Sequence, residues 1–498
     1  MVMKKTIYSA LLASAMIFSS CDKEYLETAP TTAVTEGDVL SSTKNGMAAL
    51  NGIHRIMYLQ HNGSQNQGGE GSNKIMMDAL GEDWVQTIGT SWWSGEHNWI
   101  AHRNATSTTT YNHAWYYFYY RIIANANVLI NGISNATGPE AEKQMIIGEA
   151  LVYRAWAHFQ LVQVFGERYA AGATNSQLGV PLMTTNTTEG QPRATVEEVY
   201  TQINTDLDAA IGMLTGAANR PAKSHFNAAV AKGIKARVAL TMQNWPVAAR
   251  LAQEAIQQSG ATLMNRTQYT SGFNSIDNPE WLWGSKMQAD QTSYFYSFFA
   301  YMSANYSSTV IRQNPKKINS VLYNQIPTTD IRKALWDPTG ASIPAPATGV
   351  KAPYGQKKFL VADPNLSIGD VPHMRLAELY LIQAEAEARQ GLAAAAGTLF
   401  TLVSARDPQY VRSTRTGQAL VDEILFQRRI ELWGEGFRFL DLKRTNSALD
   451  RTGKNHITQW AWILTGSNFR VEAGAKEWQF VFPQAELNVN KAIVQNPL

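Results

Sequence analysis

Residues 224–259 and 375–405 share one design, and it narrows what this chain can fold into. In each, an alanine-rich stretch with apolar residues at helical spacing is followed by a short break and a second such stretch. The first pair spans 224–243 and 246–259. Asn244 and Trp245 make the turn, and Pro246 sits at the favoured first helical position. Ala228, Ala229, Ala231, Ala236 and Ala239 face Ala248, Ala249, Ala252 and Ala255 across that turn. The second pair spans 375–390 and 393–405, broken at Gly391. Small side chains let two helices approach closely, so the pattern predicts tightly packed helical hairpins.

Other segments extend the helical reading. Residues 140–165 carry Ile147, Leu151, Ala155, Phe159 and Val162 on one face, and Gly166 ends the run. Thr195 with Glu198 forms a capping box at the head of 195–214. Helices are also expected over 39–60, 114–133 and 420–442, the last broken near Gly434 and Gly436. Two alanine-rich hairpins of about 34 residues match the period of tetratricopeptide-like repeats. Between the helices lie irregular stretches. Residues 63–72 (GSQNQGGEGS) read as a flexible loop, 84–111 as an aromatic irregular segment, and 268–371 as loops with short strands such as Trp281-Leu282-Trp283. The fold class expected is all-α: a helical-repeat scaffold with a large loop-rich region.

Apolar residues make up 45% of the 498, and charged residues 17%, which supports a large core and excludes general disorder. A net charge of +3, scattered along the chain, gives no footprint for nucleic acid. The N-terminus reads as an export signal. Lys4 and Lys5 precede an apolar run over 7–18 that is too short to span a bilayer, followed by Ser19, Ser20 and Cys21. Cys21 is the only cysteine, placed where a bacterial lipobox puts its acyl acceptor, although Phe18 departs from the usual Leu or Val. More than one acyl chain gives stable anchoring. Asp22, Glu24 and Glu27 resemble the surface-export signal of Bacteroidetes-type lipoproteins. The expected organisation is a signal peptide over 1–20, a lipidated cysteine and polar tether over 21–38, and a domain over 39–498.

Three segments carry a family resemblance: EALVYRAWAHFQLVQVFG at 149–166, MRLAELYLIQAEA at 374–386 and ILFQRRIELWGEGFRFLDLKR at 424–444. With the lipobox they resemble the SusD/RagB family of outer-membrane nutrient-binding lipoproteins. The resemblance implies helical-repeat parts at about 39–60, 112–260 and 371–445, and ligand-binding loops at about 61–111 and 261–370. It also implies an outer-membrane, surface-facing protein. Such a protein passes oligosaccharides, polysaccharides or, in some members, peptides to a TonB-dependent transporter of the SusC type.

The chemistry-bearing residues point to binding. Arg428, Arg429, Glu431, Glu435, Arg438, Asp441 and Arg444 recur at helical steps and read as an ion-pair lattice bracing the last helices. His97, His102 and His113 lack the HExxH spacing of a zinc helix, and no metal or cofactor is expected. No GxSxG elbow or phosphate loop is present.

Aromatic rings outside helices suit a sugar, whose C–H face stacks on a ring while Asn, Asp and Arg meet its hydroxyls. The candidates are Trp92, Trp93, Asn98, Trp99, Arg103 and Asp83 in the first loop, and Tyr294 and Tyr296 in the second. Each ring also has a packing reading. Packing is the expectation for Trp281, Trp283 and the helix-borne Tyr116 to Tyr120. The two readings stay open for Trp92, Trp93, Tyr294 and Tyr296. The leading function is a non-catalytic, surface-tethered glycan binder. Rivals are a surface glycoside hydrolase using Asp78, Glu82 and Asp83, and a peptide-binding helical-repeat scaffold.

Overall fold

The computed structural model describes residues 35–89, 91–104, 111–217, 220–291, 295–457 and 469–498. Cys21, the signal segment and Tyr294 lie outside them. The helical frame runs through α1 (Thr43–Ile56), α2 (Gly69–Ala79), α3 (Tyr111–Gly132), α4 (Glu140–Phe165), α5 (Val196–Leu214), α6 (Ala228–Thr241), α7 (Trp245–Ser259), α8 (Leu376–Arg389), α9 (Ala395–Ser404), α10 (Gly417–Glu431) and α11 (Arg438–Arg444). Consecutive helices pack from α3 to α7, α8 packs on α7, and α9 and α10 pack on α8. This is a stack of antiparallel hairpins interrupted by the loop-rich insert between α7 and α8. The all-α expectation holds.

Local chemistry sets several boundaries. Thr195 and Glu198 form the reciprocal capping box at the head of α5. Asn244 caps α7, with Pro246 at its start. The alanine faces are the seam of the first hairpin: α6 packs on α7, and Ala231, Ala236, Ala248, Ala252 and Ala255 are fully buried.

Three expectations need correction. The 39–60 helix is split, because Ser42 caps a fresh helix at Thr43. The arm expected from residue 224 starts at Ala228, since Asn227 accepts from Val230 N and caps it there. The stretch 63–72 is no free loop. Its second half opens α2, whose eleven residues are all buried. Gly69 has φ +64°, and a Cβ there would lie 2.2 Å from Met57 O. Those glycines admit a close backbone approach.

The loop-rich part is tied down by small sheets. Trp84–Val85, Lys317–Ile318, Gly355–Gln356 and Trp336–Asp337 form one four-stranded sheet in that order. Trp281–Ser285 pairs antiparallel with Val371–Arg375 and joins the insert to the head of α8. Trp281 and Trp283 are buried, as expected for packing.

The C-terminal motif is an ion-pair lattice, though its partners come mostly from elsewhere. Glu431 faces Arg332, Arg375 and Arg406, and Arg375 also bridges Glu280 and Glu435 at 2.6 and 2.7 Å. Arg444 joins Asp441 to Glu385 of α8. Burial alone would raise Glu435, but Arg375 and Lys358 beside it hold it at about 2. No helix among the described residues is long and apolar enough to cross a membrane.

Candidate functional site

The first aromatic loop leaves the frame at the end of α2 and is held by backbone contacts. Arg451 donates to Ala79 O and Gly81 O. Trp433 Nε1 donates to Asp83 O at 2.8 Å, and His456 Nε2 lies 3.0 Å from Glu82 O. From this anchored base the chain makes a single helical turn, Ser94–His97, flanked by two tryptophans at positive φ: Trp93 at +77° and Trp99 at +60°. Bulky residues rarely adopt that region, and holding one there costs on the order of 1–3 kcal/mol.

The left-handed residue separates two neighbouring rings. Trp92 is 37% exposed, whereas Trp93 is 2% exposed. Both meet Tyr301 edge-on, with centroids at 6.2 Å for Trp92 and 5.6 Å for Trp93. Tyr301 lies on a short helix, Phe298–Met302, capped by Ser297 and directly following the second aromatic cluster. Two loops about 200 residues apart in sequence thus meet at this ring. Phe295 is exposed beside Tyr296, which is half-buried.

Polar groups near this junction keep spare hydrogen-bonding capacity. Gln86 Nε2, Asn314 Nδ2, Lys316 Nζ and the Tyr301 hydroxyl have no hydrogen-bond partner among the described residues. Asn314 Oδ1 accepts from Thr87 N at 2.8 Å, which ties that side chain to the base of the Trp92 loop. Lys316 lies over the Trp84 ring, 5.1 Å from its centroid, and burial pushes its pKa down to about 7.

Several candidates turn out to be structural. Trp99 is fully buried against Phe439 and Trp478, and its Nε1 donates to Leu80 O at 2.8 Å. It offers no face to a ligand. Trp93 is a core ring beneath Trp92, and Asn98 is buried after the helical turn. Arg103 donates to Lys476 O, Gln479 O and Pro497 O, so it clamps the C-terminal segment. Asp83 takes Arg429 in a two-point pair at 2.6 and 2.9 Å. Burial would raise it, but Arg429 and Arg438 keep its pKa below the usual carboxylate value.

The same holds for the carboxylates of the hydrolase reading. Glu82 pairs with Arg438 at 2.5 Å. Asp78 is buried, accepts from Gly436 N at 2.8 Å, and is pushed up to about 8 by burial. Among the sequence's histidines, His97 packs on His456 and His102 lies 3.0 Å from Glu477 O, both buried. Of the helix-borne rings, Tyr116, Phe118 and Tyr119 are core, while Tyr117 is 40% exposed.

Comparison with known proteins gives this arrangement a context. A family model described as "Starch-binding associating with outer membrane" matches residues 47–240, and the SusD family model matches 282–498. The chain belongs to the SusD/RagB family. A SusD-like protein of Bacteroides ovatus is 20% identical over 293 residues, 56% of this chain and 49% of that relative. The SusD-family chain thus spans about half the length of that relative.

Solved structures cover more of it. A SusD-like carbohydrate binding protein from Bacteroides vulgatus superposes with a TM-score of 0.80 at 24% identity, covering 91% of this chain and 97% of its own. A SusD superfamily protein from Bacteroides thetaiotaomicron gives 0.75 at 24%, covering 92% and 100%. A laminarin binding SusD-like protein gives 0.69 at 22%, covering 92% and 99%. At these identities the likeness establishes the fold.

Proposed function

We propose that this chain is a cell-surface lipoprotein that binds an oligosaccharide or polysaccharide on its loop face without catalysis. It then delivers the glycan to a TonB-dependent transporter in the outer membrane. The observation that carries the reading is Trp92: an exposed ring, braced edge-on by a buried tyrosine, where two loops of a rigid frame converge. A braced ring loses little freedom when a sugar stacks on it. Phe295 and Tyr296 extend the surface, with Tyr294 a further contact from the same cluster. Trp93 serves as the support beneath Trp92.

Two further supports come from outside the site. One family model's description names starch binding and the outer membrane, and one similar structure is a laminarin binder. Of the carboxylates that a hydrolase would use, Glu82 and Asp83 are occupied by Arg438 and Arg429, and Asp78 is buried and accepts from Gly436 N. In this reading Cys21 carries the acyl anchor, and the helical-repeat face meets the transporter.

The test is native electrophoresis of the protein through gels cast with single polysaccharides, laminarin and starch among them. Each polysaccharide is also incubated with the protein and assayed for new reducing ends. Retardation by at least one polysaccharide with no new reducing ends is expected. Release of reducing ends would replace binding with hydrolysis, and mobility unchanged across a broad panel would remove the glycan reading.

A further inference from the structure

We propose that His54, Glu149 and His225 form a binding site for one divalent transition-metal ion of the zinc type. Among the described residues, this is the one group of three such side chains whose donor atoms come within reach of a common ion. The three come from separate elements. His54 sits in the last turn of α1, Glu149 lies on α4, and His225 precedes the Asn227 cap of α6. All three are buried, Glu149 completely.

The donor atoms are already gathered. His54 Nε2 lies 3.1 Å from His225 Nδ1 and 3.7 Å from Glu149 Oε2. His225 Nδ1 lies 3.1 and 3.2 Å from the two carboxylate oxygens. The point equidistant from His54 Nε2, His225 Nδ1 and Glu149 Oε2 is about 1.9 Å from each, against roughly 2.0–2.1 Å for zinc bonded to nitrogen or oxygen. An ion slightly out of that plane fits without moving the backbone.

The surroundings orient the donors. Tyr153 Oη lies 2.5 Å from His54 Nδ1, so the tautomer that donates there leaves the Nε2 lone pair facing the other two groups. Phe226 N donates to Glu149 Oε2 at 3.0 Å and fixes the carboxylate. Without metal, a single proton on His225 Nδ1 can serve both His54 and Glu149. The ion takes its place, and that proton moves to His225 Nε2, so the ring stays neutral.

Two imidazoles and one carboxylate select zinc, cobalt or nickel over calcium, which takes oxygen ligands. A cavity of 390 Å³ is lined by Arg220, Phe226 and Asn227, chain neighbours of His225, while the three donors themselves stay buried. Arg220 donates to His225 O at 3.0 Å and is the cation that opposes a dication here. The bound ion would pin α1, the helix nearest the N-terminal tether, to α4 and α6.

The test is titration of the chelator-stripped whole chain with Co²⁺, reading visible d–d absorption. The expected result is absorption that saturates at one equivalent and is bleached by Zn²⁺ but not by Ca²⁺, with a thermal midpoint raised by a few degrees in Zn²⁺. His54→Ala and His225→Ala should abolish the absorption, while Arg220→Gln, which removes the opposing charge, should tighten binding several-fold. No saturable one-equivalent absorption in the unmutated chain would overturn the proposal, whatever the variants do. So would absorption retained in both histidine variants.

Discussion

Two buried lysines of the insert between α7 and α8 show how differently its two sides are built. Lys358, where the insert meets the segment after α10, gives its three donors to Glu431 O, Trp433 O and Glu435 Oε1 at 3.1, 2.7 and 2.6 Å. Lys316, beneath the loop face, has no hydrogen-bond acceptor among the described residues and rests over Trp84. Where the insert meets the frame, Arg332, Arg375, Arg406 and Lys358 join Asp330, Glu280, Glu431 and Glu435 in one charge-balanced block. The loop face instead carries two tryptophans at positive φ, an exposed ring and two amide nitrogens, Gln86 Nε2 and Asn314 Nδ2, without a hydrogen-bond partner among the described residues. The block pairs its charges internally, whereas the loop face leaves an aromatic ring exposed.

Breaking the block should give the largest effect. Arg375→Met leaves Glu280, Glu431 and Glu435 short of a cation, so it should cost roughly 3–5 kcal/mol in urea unfolding or abolish folding. Relieving Lys316 should act in the opposite direction. Its folded pKa of about 7 lies below the ordinary 10.5, so the full penalty of burying it is present below pH 7. Between pH 7 and 10.5 the unfolded chain holds a proton the folded chain has released, and stability rises with pH. Lys316→Met should therefore gain up to about 5 kcal/mol below pH 7 and flatten that rise, as read from urea midpoints across the range.

Acid gives a somewhat smaller effect in the block. Glu435 at about 2 stabilises the fold above pH 4.5, and that contribution, about 3 kcal/mol, is lost as pH falls from 4.5 through 2. Any Arg375 variant that still folds should lose most of this acid dependence. Removing the α5 cap with Thr195→Ala should cost about 1 kcal/mol. Trp92→Ala should change stability least, by under about 1 kcal/mol, because the ring is exposed and only edge-on to Tyr301.

The frame was far more legible in sequence than the loop face. Helix periodicity, the Thr195–Glu198 box and the alanine seams are local signals, and they located α4, α5 and the hairpins. The charged motif at 428–444 revealed its structural role. It could not reveal its partners, because Arg332, Arg375 and Arg406 reach Glu431 only through the tertiary fold. Within the loop, residue type could not separate Trp92 from Trp93. A positive φ at Trp93 sends one ring outward and its neighbour inward, and tryptophan carries no local preference for that conformation. Gly68 and Gly69 read as loop for a related reason: glycine marks a turn and a close approach alike, and here the Tyr296 backbone lies against Gly68 and the Met57–Tyr58 backbone against Gly69. The His54–Glu149–His225 cluster had no spacing signal at all, since three distant segments assemble it.

In the proposed function, Trp92 is the gripping surface of a ligand site on an ion-paired helical scaffold. The most direct measurement is isothermal titration of whichever polysaccharide retards the protein, comparing the unmutated chain with Trp92→Ala at matched unfolding midpoints. The account predicts that Trp92→Ala weakens binding about 30-fold or more, the loss of roughly 2 kcal/mol expected for an anchoring aromatic. Undiminished affinity in a fully folded Trp92→Ala protein would contradict it.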